Sequence, residues 1–201
     1  MIMKMFLCCS LLMLCNVVTL HAYPVVMPSQ VNAMIGAKNR GGQQAAASNL
    51  QQIGQAMTMY LTSNDDKLPA SFSDILEFVS NNTRIFVSAT DRVSKPASGD
   101  TIKPENTSFA YVGDLGRADA LRNAAATPIA FEKPWLLPPS QRSVSVLYAD
   151  GHVDRIQLPP KAPKSCSAVI RIISKKLNDK NLSAKLMKNA KAEDAARKKS
   201  K

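Results

Sequence analysis

The chain has 201 residues, with 26 Lys and Arg against 15 Asp and Glu and a formal charge of +11. At 45% hydrophobic and 20% charged residues, it is neither a bundle of membrane spans nor a chain disordered throughout. The charge is unevenly placed: residues 1–22 hold one Lys and no acid, residues 23–160 hold 12 bases and 12 acids, and residues 161–201 hold 13 bases and 3 acids. The total therefore describes a neutral body with a basic extension, not a uniformly basic nucleic-acid-binding domain.

Lys4, the one charge near the N-terminus, precedes an apolar run of about 15 residues from Phe6 to Leu20, and His21-Ala22 follows before Tyr23-Pro24. A basic start, a short apolar stretch and a small residue are the features of a secretory signal, with Lys4 serving export and cleavage expected after Ala22. The run is shorter than the roughly 20 residues of a spanning helix. An uncleaved membrane anchor is the alternative. A lipoprotein signal ending at Cys15 fits less well, because Leu14 occupies the position usually held by a small residue. Cleavage removes Cys8, Cys9 and Cys15 and leaves Cys166 without an intramolecular disulfide partner.

Residues 27–42 are weakly helical and are expected to end at the Gly41-Gly42 breaker. From Gln43, Ala45, Leu50, Ile53, Met57, Tyr60 and Leu61 recur at helical spacing opposite Gln51, Gln52, Gln55 and Thr58. This spacing predicts a helix over 43–62, closed by the turn-forming cluster Ser63-Asn64-Asp65-Asp66. Ser71-Phe72-Ser73-Asp74 resembles a capping box and predicts a short helix over 72–80, with Phe72, Ile75, Leu76 and Val79 on one face. Asn81-Asn82 should stop it. Residues 84–88 read as a strand, as do 108–112 and 128–132, with a helical turn expected between 115 and 126.

Val144, Val146 and Tyr148 alternate with Ser143, Ser145 and Leu147, and Asp150-Gly151 then precedes a second run, His152 to Gln157. This pattern predicts a hairpin, because Asp-Gly supplies the positive backbone dihedral that a tight connection needs. Pro159, Pro160 and Pro163 mark the expected end of the domain. Beyond them lie two amphipathic pieces, Ser167–Leu177 with Val169, Ile170, Ile173 and Leu177 on one face, and Asn181–Arg197 with Leu182, Leu186, Met187 and Ala190. Residues 191–201 are expected to fray. The fold class read from this order is α+β: one main helix, with Leu50, Ile53 and Met57 facing a small antiparallel sheet of three to five strands, followed by a basic, partly disordered tail over 161–201.

Two segments carry a family resemblance. Ser48-Asn-Leu-Gln-Gln-Ile-Gly-Gln-Ala-Met-Thr-Met-Tyr60 with Asp65-Asp-Lys-Leu-Pro69 resembles the long helix and following loop of pseudopilin-like, prepilin-type proteins of type II secretion. Ala130-Phe-Glu-Lys-Pro134 with Val144-Ser-Val-Leu-Tyr-Ala-Asp-Gly-His-Val153 is similar to the C-terminal hairpin of the same family, and the hairpin motif is Asp150, Gly151 and His152. The likeness spans about residues 45–157. It implies a pseudopilin-like domain that acts through other proteins. The chain also departs from the family. Met5 and Ser10 stand where prepilins carry their cleavage-site small residue and their early Glu, Ser140 stands where the family has a His, and Ser88 stands where a Cys is common. Prepilin peptidase is therefore not expected to process it.

Little in the sequence suggests catalysis. His21 leaves with the signal, so acid–base or triad chemistry would rest on His152 alone. Cys166 lies beyond a Pro-rich connection from it, and zinc would need more His or Cys ligands than a mature chain with one of each provides. Calcium is the metal left open, through Asp65 and Asp66, although the spaced carboxylates of an EF-hand are lacking. No cofactor is expected, and Gly41-Gly42 lacks the Lys that follows a phosphate loop. The basic tail holds none of the 11 aromatic residues, which disfavours a base-stacking nucleic-acid module. Its lysines, Lys175, Lys176, Lys180, Lys185 and Lys188, suit an anionic surface.

These readings lead to an exported, non-enzymatic pseudopilin-like component of the cell envelope, periplasmic or extracellular, with envelope or secretion-system proteins as partners. The alternative is a soluble binding module whose basic tail attaches it to anionic envelope polymer or lipid. An enzyme dependent on His152 is the third reading.

Overall fold

The computed structural model describes residues 28–115, 123–161, 163–177 and 179–199. Helix α1 spans Pro28–Ser63. The sheet is formed by β1 (Phe109–Tyr111), β2 (Pro128–Glu132), β3 (Ser143–Tyr148) and β4 (Val153–Gln157). Helices α2 (Cys166–Ile173) and α3 (Lys180–Lys199) follow. The four strands are antiparallel in the order β1-β2-β3-β4. The expectation of an α+β architecture with a small antiparallel sheet is met. Among the described residues, no helix is long and apolar enough to cross a membrane.

Helix α1 does not break at Gly41-Gly42, contrary to expectation; it runs through both glycines for 36 residues, about 54 Å. A glycine costs a helix interior only about 1 kcal/mol, and at position 42 it permits a close approach. A Cβ there would lie 2.1 Å from Thr90 Cγ2, so the smallest residue lets α1 press against the 88–91 loop. The two halves of α1 differ. Leu50, Ile53, Ala56 and Met57 are at most 1% exposed, as the spacing predicted, whereas residues 32–35 are all exposed.

Two short elements differ from expectation. Residues 72–80 form two 3₁₀ turns, Phe72–Ile75 and Glu77–Val79, instead of an α-helix. The capping box is present: Ser71 Oγ accepts from the Ser73 amide, and Asp74 Oδ2 accepts from the Ala70 and Ser71 amides. The tighter winding stacks side chains at i and i+3, which sends Phe72 and Ile75 into the core together. Ser80 and Asn81, at φ 52° and 57°, then reverse the chain. Residues 84–88 are not a strand; Thr83–Phe86 is a third 3₁₀ turn. A strand would place the adjacent Ile85 and Phe86 on opposite faces, whereas the turn buries both. The Ala124–Ala126 turn lies within the segment expected to hold one.

The hairpin is as expected in position, but β3 is buried at all six residues and β2 at all five. These two central strands are therefore covered on both faces, whereas β4 has no buried residue. The chain continues past the prolines into α2 and α3, where Cys166, Val169, Ile170, Ile173, Leu177, Leu182, Leu186 and Ala190 belong to the same core cluster as Leu50, Phe109, Phe131 and Val146. The apolar faces read from the sequence are the inward ones, with Met187 only partly buried at their rim. The expected fraying from residue 191 is not seen, since α3 is helical to Lys199.

Candidate functional site

The hairpin residues Asp150, Gly151 and His152 do come together, as a turn. The Gly151 amide donates to Tyr148 O at 2.9 Å and the Tyr148 amide to His152 O at 3.0 Å, closing a three-residue loop in which Gly151, at φ 88°, alone is left-handed. His152 Nδ1 lies 2.5 Å from Asp150 Oδ1, the His152 amide donates to the same oxygen, and the imidazole stacks on the Tyr148 ring at 4.4 Å. Partial burial would raise the Asp150 carboxyl, but the His152 bonds outweigh it and hold the group below its ordinary value of 3.8. A Cβ built on Gly54 would meet Leu147 Cδ1 at 2.7 Å and Gly151 O at 3.1 Å, so α1 packs directly beneath the turn. These contacts make the motif a clasp between hairpin and helix. The Cys166 thiol is fully buried, and burial together with the charges of Glu193 and Asp194 raises it far above the ordinary thiol range, leaving it unsuited to thiolate chemistry at neutral pH.

Asp65 and Asp66 sit at φ 52° and 55° just past the end of α1, where the Asp66 amide donates to Leu61 O at 3.0 Å. This is helix-ending geometry. Among the described residues, no group of three His, Cys, Asp or Glu is placed to hold a metal ion.

A polar belt that sequence reasoning missed joins α3 to the sheet. Lys133, just after β2, is 3% exposed; its Nζ donates to Pro104 O and to Thr107 O at 3.0 Å and lies 3.9 Å from Glu193 Oε2. Burial pushes this ammonium below 10.5 against the pull of Glu193, and pushes Glu193 above 4.5 against the pull of Lys133. Glu193 also accepts from the Tyr111 amide at 3.3 Å, while Asn189 Nδ2 donates to Val112 O and Asp114 O, each at 3.0 Å. These bonds cover the open edge of β1, which would otherwise invite another strand. Asp194 accepts from the Cys166 and Ser167 amides at 2.7 and 3.1 Å and from Ser167 Oγ at 2.7 Å, and Ser165 Oγ accepts from Ala168. Arg197 lies 4.7 Å over the Trp135 ring and donates to Lys164 O. A cleft of about 220 Å³ opens here between Val93, Lys133, Trp135, Leu136, Glu193 and Arg197. The signal for the belt was present: Glu193-Asp194 is the one acid pair in the basic segment.

A second buried carboxylate, Glu132, accepts from the Ser145 amide at 2.8 Å and from Gln141 Nε2 at 3.4 Å. Burial raises it above 4.5, partly offset by these bonds. Gln141 Oε1 beside it is buried without a hydrogen-bond partner. Of the predicted surface lysines, Lys175, Lys180, Lys185 and Lys188 are exposed. The Lys176 side chain and Lys4 lie outside the described residues, as do the signal segment and its cleavage site. No protein-family model, curated protein or solved structure matches the chain.

Proposed function

We propose that this chain is an exported, non-enzymatic pseudopilin-like protein that acts as an interaction component at the cell envelope, linked to a type II secretion or pilus-like assembly. The observation that carries the reading is the two-part helix α1. Its second half is core, whereas its first half extends with Met34 68% and Ile35 50% exposed. Adjacent apolar side chains on an extended helix present a contact for another protein, because leaving them in water forfeits burial worth about 1.5–3 kcal/mol per large side chain. The engagement of His152 within the hairpin turn supports a non-enzymatic role, and the resemblance of 45–157 supports the family.

The test is affinity capture of the full chain from its native host after cross-linking, with fractionation of the same cells. Secretion-system or envelope proteins are expected in the capture, and Met34→Asp/Ile35→Asp should lose them without changing the thermal melt. Cytoplasmic fractionation with no envelope protein captured would sink the reading.

A further inference from the structure

We infer that the outward side of α2 and α3 is an adsorption face for an anionic lipid surface. The inference concerns a different surface from the first half of α1 and does not depend on the pseudopilin-like reading.

It rests on how the charges of this segment are sorted. Residues 161–201 contain three acids, and each is engaged within the fold. Asp179 caps α3 through the Leu182 amide at 3.0 Å, Glu193 meets Lys133 and the Tyr111 amide, and Asp194 holds the first amides of α2. None of the three is at an exposed position, whereas Lys180, Lys185, Lys188, Lys191 and Lys198 of α3 are all exposed, with Arg171 on α2 and Lys175 in the 3₁₀ turn that follows it. Lys185, Lys188, Lys191 and Lys198 follow one another at intervals of three, three and seven residues, which keeps them on one side of the helix. Among the exposed residues along that side are Ala184, Ala192 and Ala195. The 20 residues of α3 extend about 30 Å.

The residue types decide the partner. Lysine is a hydrated point charge on a flexible stem, suited to diffuse attraction, while bidentate recognition of individual phosphates calls for arginine. A single-strand binder sets stacking rings among its bases, but this stripe has none. Alanines between the lysines leave nothing bulky to hold the ammonium groups away from a plane. A straight, shallow, uniformly basic face therefore matches a flat anionic bilayer better than a polymer that threads a groove. With no large apolar side chain on the stripe, the protein would rest on the headgroups without entering the acyl layer.

The test is co-sedimentation of the full chain with phosphatidylcholine vesicles and with equimolar phosphatidylglycerol–phosphatidylcholine vesicles, at low and high salt. Binding to the anionic vesicles alone, released by salt, is expected. Lys185→Glu/Lys188→Glu/Lys191→Glu should weaken it at least about 100-fold with unchanged circular dichroism. Should that variant misfold, Lys188→Ala/Lys191→Ala/Lys198→Ala replaces it and should weaken binding in the same direction. Equal binding to both vesicle types, unchanged binding by a folded variant, or binding to dextran sulfate but not to vesicles would each overturn the inference. Capture of envelope proteins through α1 is unaffected by any of these outcomes.

Discussion

Glu132 ends β2 with 2% of its surface exposed, and Arg155 acts on it only as a nearby charge that slightly offsets the cost of burial. Its carboxylate depends on the Ser145 amide and Gln141 Nε2. A carboxyl raised by burial above 4.5 binds its proton more tightly in the folded state than in the unfolded one. Stability from this group is therefore fully present below pH 4.5 and lost as the pH rises through the raised value. Gln keeps the acceptor for Ser145 without the buried charge. Glu132→Gln should accordingly be more stable than the parent at pH 7 by on the order of 1 kcal/mol, and the gap should close below pH 4.5; urea titrations across that range measure it. A gap that widens on acidification would contradict this account. Neither Glu132 nor Lys133 could be singled out from the sequence, since a Glu-Lys pair after a short apolar run reads as solvated until the helices that cover it are known.

Elements long enough to repeat their pattern were legible. The 3.6-residue spacing of Leu50, Ile53 and Met57 located the buried part of α1, and the same periodicity picked out the inner faces of α2 and α3. The short strands at 108–112 and 128–132 were legible as well, but the short helical segments were not, because one turn of backbone carries too few residues to show a period: 72–80 and 84–88 have strong apolar content yet adopt 3₁₀ turns. The glycine pair misled in the other direction, since its cost to the helix is local and its benefit is a contact with Thr90, 48 residues further on. Helix α2, eight residues long, is too short to be stable alone. It depends on Asp194, which satisfies two of its first amides. Asp194→Ala should cost about 1–2 kcal/mol, read as a lower urea midpoint at an unchanged slope, with faster amide exchange in α2. An unchanged midpoint would show that water replaces the carboxylate without loss.

At the scale of the molecule, the basic segment is part of the fold. Val169, Ile170, Ile173, Leu177, Leu182 and Leu186 are at most 8% exposed. Burying each contributes about 1.5–3 kcal/mol, so together they rival the whole stability of a domain, about 5–15 kcal/mol. A chain ending at residue 160 should therefore fail to fold, giving a non-cooperative melt or an insoluble product; a sharp two-state melt would refute this. For the same reason deletion of 161–201 cannot test anionic binding, and charge reversal on the exposed stripe is the proper experiment.

Sequence alone determined what is written in runs and totals: the α+β class, the position of the hairpin, the buried face of each long helix, and the location of the positive charge between 161 and 201. Tertiary structure decided where that charge stands. Periodicity reports which side of a helix is apolar but not what it packs on. Only with α2 and α3 against the sheet did Glu193 and Asp194 turn inward, to Lys133 and to the start of α2, and the lysines outward. Burial makes an unpaired acid costly and a paired one useful, and the pairs here join residues far apart in the chain.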